Sequence, residues 1–120
     1  MPGIVFLRTE ILSEIVEFYQ SRIGMEMWLD QGDCKILRYD NLLLGFCERK
    51  SPQTGIMITF YYPSRKDVRR MYESLKEIAE CEPRENKKYG IYQFFAKDPE
   101  GRDLEFQYFT YTVPSISCSG

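Results

Sequence analysis

The sequence predicts an α+β protein built from two βαβββ modules, and three observations lead there. Apolar residues recur at helical spacing in two stretches, Leu12 to Ile23 and Val68 to Ala79, each preceded by a short strand-like run and followed by others. Sliding the chain by 53 positions lays FLRTEILSEIVEFYQS over TFYYPSRKDVRRMYES, so that strand falls on strand and helix on helix, with Tyr19 on Tyr72 and Ser21 on Ser74. The remaining apolar and aromatic residues sit mostly in short alternating runs bounded by turn residues, the pattern of half-buried strands.

Taken in order, Ile4 to Thr9 reads as the first strand. Leu12, Ile15, Val16, Tyr19 and Ile23 form the apolar stripe of a helix, with Glu14 and Glu17 suited to its positive end and Gly24 as its stop. Three strands follow, Met25 to Leu29, Lys35 to Tyr39 and Leu42 to Glu48, separated by the turns Asp30-Gln31-Gly32-Asp33 and Asp40-Asn41. The polar stretch RKSPQTG reads as a linker, so the first module covers about residues 3–49, the linker about 50–55 and the second module about 56–112 of a single domain at 1–112. In the second module Ile56 to Tyr62 is a strand ended by Pro63, and Ser64-Arg65-Lys66-Asp67 has the form of a capping box with Asp in place of Glu. Val68, Met71, Tyr72, Leu75, Ile78 and Ala79 make the second apolar stripe. A charged loop after Pro83 leads to strands at Tyr89 to Ala96 and Leu104 to Thr112, joined by the turn DPEGR, and residues 113–120 read as a flexible tail.

Composition bounds the function. With 120 residues, 43% hydrophobic and 28% charged, the chain has enough apolar material for one core. A net charge of −2 argues against nucleic acid or an anionic membrane as the main partner. No apolar run is long enough to span a bilayer, and the N-terminus lacks a basic region followed by a long apolar stretch, so a cytoplasmic protein is expected. The four cysteines, Cys34, Cys47, Cys81 and Cys118, include no CxxC pair, which suits reduced thiols better than a disulfide framework or a zinc site. The chain contains no histidine, which excludes a Cys–His nucleophile and removes the imidazole metal ligand.

The paired modules, the helix end EFYQSRIGM, the DQG turn at Asp30 to Gly32 and the closing DPEGRDLEF together resemble the vicinal oxygen chelate superfamily, which holds glyoxalase I, extradiol dioxygenases, and fosfomycin- and bleomycin-resistance proteins. The resemblance spans roughly residues 3–110. It implies a cup-shaped sheet with both helices outside, pairing of chains into a homodimer, and a small-molecule ligand in the cup. Metal-dependent members place ligands on the first strand of each module and a glutamate on the last. Glu105 matches that glutamate, but the other positions map onto Ile4, onto Met57 or Ile58, and, for the fourth-strand carboxylate of glyoxalase-type members, onto Leu44. The resemblance therefore implies a binding protein with no metal and no cofactor.

Strand alternation puts Asp103, Glu105 and Gln107 on one face and Leu104, Phe106 and Tyr108 on the other. Glu105 is expected either as a carboxylate hydrogen-bonded to a tyrosine or to Arg8, whose parity with Ile4 and Phe6 points it inward, or as the polar anchor of an aromatic pocket. The candidate ligand-binding residues are Glu105, Arg8, Gln107, Phe60, Trp28 and Tyr92. Three functions compete: sequestration of a small aromatic or cationic molecule in the manner of bleomycin-resistance proteins, a glyoxalase- or fosfomycin-resistance-type enzyme with an atypical metal site on Glu105, and an interaction module whose cup is filled by Ile4, Met57 and Phe60.

Overall fold

A computed structural model describes residues 1–116. The elements run β1 (Val5–Thr9), α1 (Leu12–Phe18), β2 (Glu26–Asp30), β3 (Cys34–Tyr39), β4 (Leu42–Glu48), β5 (Met57–Tyr61), α2 (Arg65–Leu75), β6 (Arg84–Asn86), β7 (Ile91–Lys97) and β8 (Asp103–Phe109). They form two four-stranded mixed sheets in the orders β1-β4-β3-β2 and β5-β8-β7-β6, the two βαβββ modules that the sequence predicts. In each sheet the first strand pairs in parallel with the last, and the other pairs are antiparallel. By contacts the chain divides into a first unit, residues 1–56 with 98–102, and a second, residues 57–97 with the remainder from 103.

In the first unit Leu12, Ile15, Val16 and Phe18 of α1 are buried, with Leu7, Leu37, Leu44 and Phe46 among the strand residues of the same core. No side chain at Ile11 caps the helix; the Glu48 carboxylate instead accepts from the Leu12 N–H at 3.1 Å. The helix continues into a wider π turn, Tyr19–Ile23, and Gly24 stops it at φ 95°, a left-handed conformation that costs glycine least. The segment after β4 is bound rather than loose: Arg49 N–H donates to Thr9 C=O, and Gln53 exchanges hydrogen bonds with the Arg8 backbone.

The turn DPEGR is the anchor of this unit. Asp98 accepts from the backbone N–H groups of Glu100 and Arg102 and from the Tyr19 hydroxyl at 2.7 Å. The fully buried Arg102 guanidinium donates to Asp98 at 3.1 Å, to Glu100 at 2.9 Å and to the Arg8 carbonyl at 2.7 Å, with its carbon 5.3 Å from the centre of the Phe46 ring. Burial and the neighbouring Asp98 push the Tyr19 phenol far up, so it stays a neutral donor. Burial alone would raise the Glu100 carboxyl, but hydrogen bonds from Thr9, the Glu10 N–H and Arg102 outweigh it and hold the group below the ordinary glutamate range. A folded-state value below the unfolded one means that Glu100 stabilises above about pH 4.3 and that this contribution is lost as pH falls through the folded value. The midpoint of urea unfolding is expected to drop from about pH 6 to pH 3, and to drop less in Glu100→Gln; equal slopes in the two proteins would remove Glu100 from this account.

In the second unit Ser64 caps α2 as the capping box predicts: its hydroxyl oxygen accepts from the Asp67 N–H at 3.2 Å and its O–H donates to the Asp67 carboxylate at 2.8 Å. The helix ends at Leu75, so Ile78 and Ala79 lie in the following turn rather than on the stripe. Val68, Tyr72 and Leu75 bury against a sheet face made of Ile58, Phe60, Phe94, Ala96, Leu104 and Phe106. Residues Arg84–Asn86, read from sequence as part of a charged loop, form the three-residue edge strand β6. Charge does not prevent a short exposed strand from pairing along one edge of β7.

One reading of the cysteines is corrected. Cys34 and Cys47 form a disulfide, whereas their sequence spacing points to reduced thiols. Hairpin register joins them: β3 and β4 pair from Tyr39 opposite Leu42 outward to Cys34 opposite Cys47. Cys81 is free, and Cys118 and the end of the expected tail lie outside the described residues. Among the described residues no helix is long and apolar enough to cross a membrane.

Candidate functional site

On the face of the second sheet opposite α2, register alone builds a polar row. Parallel pairing of β5 with β8 sets Thr59 beside Glu105, and antiparallel pairing of β7 with β8 sets Phe95 beside Glu105 and Gln93 beside Gln107. The Thr59 hydroxyl donates to one Glu105 oxygen at 2.8 Å and the Gln93 amide to the other at 3.0 Å. The Asn86 amide donates in turn to the Gln93 carbonyl at 3.1 Å, which fixes the Gln93 amide with its N–H side toward Glu105. The result is a carboxylate held by neutral donors on both oxygens, with Gln107 alongside. These partners correct the expectation of a tyrosine or Arg8: the Arg8 guanidinium Nε donates to the Ser51 carbonyl at 3.0 Å in the first unit. Neighbouring strands supply the bonds, from residues 46 and 12 positions away, and register cannot be read from composition.

Around this row Met57 and Tyr61 are exposed and share its face by alternation. The Lys97 ammonium and the Asp103 carboxylate pair at its end. Of the positions expected to line a site, Glu105 and Gln107 are thus brought together. Phe60 and Tyr92 stand on the helix-facing side of the same sheet, Phe60 stacked on Phe106 at 5.7 Å and Tyr92 accepting from Arg69 at 2.6 Å. Arg8 and Trp28 belong to the first unit; Trp28 lies on β2, where the pairing with β3 shifts register between Met27 and Leu29, and is about half exposed.

The first unit has an open face of its own. An open groove of about 330 Å³ is lined by Phe6, Leu7, Arg8, Cys47, Arg49 and Gln53. The Phe6 ring approaches Gly45 so closely that a Cβ there would overlap it; glycine at 45 is what makes room for the ring. Arg8 stands beside Cys47 in the β1–β4 register, and Cys47 beside Cys34 in the β3–β4 register. This row was not anticipated, although the paired strands and their two-residue turn carry the information that sets it.

Among the described residues no three His, Cys, Asp or Glu side chains gather as a metal-binding group. Of the mapped ligand positions, Leu44 and Ile58 are buried on the helix-facing sides of their sheets, and Ile4 and Met57 are exposed apolar side chains.

No protein-family model matches the sequence, and no curated protein does. Solved structures match closely in fold. A glyoxalase/bleomycin resistance protein/dioxygenase from Nocardioides superposes with a TM-score of 0.75 at 14% identity, covering 99% of this chain and 89% of that one. A lactoylglutathione lyase from Agrobacterium tumefaciens gives 0.73 at 18% identity, covering 90% and 92%. A glyoxalase/bleomycin resistance protein/dioxygenase family enzyme from Burkholderia phytofirmans gives 0.74 at 16% identity, covering 88% and 95%. At such identities the likeness establishes the fold: this chain has the paired-module fold of the vicinal oxygen chelate proteins.

Proposed function

From that fold as premise, we propose that the protein binds a small molecule without a resident metal, holding an aromatic or cationic ligand by the Glu105 row as a bleomycin-resistance-type binding protein does. The observation that carries this reading is the setting of Glu105. A catalytic metal site takes about three protein ligands and one open position. Here both carboxylate oxygens are committed to Thr59 and Gln93, and the mapped partner positions offer only hydrocarbon or thioether side chains. A lone carboxylate supplies too little to replace the hydration of a divalent ion. The same carboxylate, fixed by neutral donors among exposed apolar neighbours, suits a cation or a polar group on a flat ligand.

The test is metal content together with binding. Purified protein is expected to carry well under one equivalent of metal, and added Zn²⁺, Ni²⁺ or Mn²⁺ is expected not to raise its melting temperature, because only a ligand that binds the native state stabilises it. In titrations with small aromatic cations, Glu105→Gln should weaken binding about tenfold or more, the worth of one charge-assisted contact. Stoichiometric metal that disappears in the Gln variant would replace this reading with a metal-dependent enzyme built on Glu105.

We also propose that the protein works as a cytoplasmic homodimer. Three consecutive residues of the edge strand β2, Met27, Trp28 and Leu29, are exposed, and bare apolar edges of this kind favour pairing. Light scattering at micromolar concentration should return twice the chain mass; a monomer mass would reject the dimer while leaving the ligand site untouched.

A further inference from the structure

We propose that Cys34 and Cys47 form a reversible thiol–disulfide site, opened and closed by exchange with small anionic disulfides and thiols that enter the groove beside Cys47. The argument begins with geometry. The ladder bond from the Glu48 N–H to the Asp33 carbonyl, 2.7 Å long, makes 33 and 48 a hydrogen-bonded pair. Their neighbours Cys34 and Cys47 therefore occupy the non-hydrogen-bonded position, where side chains on facing strands come closest; their Cα atoms are 4.0 Å apart. Neither cysteine is buried, and Cys47 forms part of the groove wall.

The charge around the pair is positive on the groove side. Arg8 flanks Cys47 on β1, and one Arg49 nitrogen lies 4.0 Å from the Cys34 sulfur. The Arg49 guanidinium is held there by Asp33 at 2.9 Å and by the Glu48 carbonyl at 2.7 Å. Guanidinium groups beside partly exposed thiols are the setting in which thiolates react, and they attract anionic partners. A structural disulfide in a core needs neither the arginines nor the groove.

The exchange balances as follows. The Cys47 thiolate attacks a small disulfide, RSSR; a Cys47–SR bond forms, the S–S bond of RSSR breaks and one RS⁻ leaves. The Cys34 thiolate then attacks the Cys47 sulfur, closing the protein disulfide and expelling the second RS⁻. The two cysteines lose two electrons, RSSR gains them, and the two thiol protons end on the departing thiolates. In a reducing cytoplasm excess small thiol runs the same steps backward, so the oxidation state follows the ratio of RSSR to RSH.

The test uses a Cys81→Ser/Cys118→Ser background, reduced, desalted and exposed to three probes: dithiodiglycolate (anionic), 2-hydroxyethyl disulfide (neutral) and cystamine (cationic). Quenched samples are alkylated and weighed by mass spectrometry. The intramolecular disulfide should form with each probe, and Cys34→Ser should stop at the mixed disulfide on Cys47. Comparing each probe with itself across variants cancels its intrinsic reactivity. Arg8→Gln with Arg49→Gln should slow the neutral probe through lost thiolate stabilisation, slow dithiodiglycolate about tenfold more than that, and slow cystamine least of the three; Arg8→Lys with Arg49→Lys should retain the wild-type order. Failure to close the disulfide, or an equal effect of the Gln variant on all three probes, would overturn the proposal.

Discussion

Replacing Arg102 with Leu is expected to destabilise the protein by about 3–5 kcal/mol, the cost of leaving buried carboxylates without their cation. Arg102 is fully buried, and so is the side chain of Asp98, while that of Glu100 is nearly so. Three hydrogen bonds from one guanidinium, to Asp98, Glu100 and the Arg8 carbonyl, tie the turn to the first strand, and the Tyr19 hydroxyl ties the helix end to the same Asp98. The leucine variant removes all three donors and leaves two acids facing each other in a low-dielectric setting. With a urea dependence of about 1–3 kcal/mol per molar, the unfolding midpoint should fall by at least about 1 M. Arg102→Lys should recover part of the loss, since an ammonium keeps the charge but lacks the flat fork that meets both acids with one nitrogen and the Arg8 carbonyl with the other, over the Phe46 ring. Adding Asp98→Asn and Glu100→Gln to Arg102→Leu should also recover part of it, because the unpaired charges carry the penalty. A loss below about 1 kcal/mol for Arg102→Leu would mean that the cluster is hydrated and contributes little.

This cluster also marks how far the sequence can be read. The alternation in DLEFQYF places Leu104 and Phe106 under α2 and Glu105 on the opposite face before any coordinates, because a period of two leaves no other choice once one face is apolar. The two helices, their Gly24 and Ser64 boundaries and the βαβββ succession of each module are equally legible from spacing and capping chemistry. The burial of Arg102 is not. A charged residue in a Gly-containing turn reads as solvated surface, and nothing local announces that a carbonyl from the first strand meets it while a tyrosine from the first helix meets its partner Asp98. Partners at long sequence separation are also what escaped for Glu105, whose bonds come from residues 46 and 12 positions away. The Cys34–Cys47 pair falls between these cases. Once Lys35 to Tyr39 and Leu42 to Glu48 are read as strands about the two-residue turn Asp40-Asn41, Tyr39 faces Leu42 and each outward step brings the cysteines nearer. Looking for close Cys pairs in sequence misses a pair that becomes close only after the hairpin folds.

Phe106→Ala is expected to cost about 3–5 kcal/mol, as a large ring removed from a packed core does. Its ring lies at the centre of an aromatic row across three strands, 4.8 Å from Phe94 and 5.7 Å from Phe60 and nearly parallel to both, with Tyr72 of α2 edge-on to Phe94. No neighbour can fill the space without leaving its own rotamer, since Phe94 and Leu104 are themselves fully buried. Phe106→Leu, which keeps much of the volume, should cost about 1.5 kcal/mol or slightly more. The adjacent residue on the same strand answers differently. Glu105→Gln keeps a side chain of the same shape on the open face, where the Thr59 hydroxyl can still donate to its carbonyl, so its cost should be near 1 kcal/mol. Binding should rank the other way, with Glu105→Gln losing affinity for a cationic ligand and Phe106→Leu retaining it wherever the protein remains folded. Urea unfolding and ligand titration on the same three variants check both orders. If Phe106→Leu lost binding as fully as Glu105→Gln while still folded, the ligand would depend on the helix-facing side of the sheet and the site assigned to the Glu105 row would be misplaced.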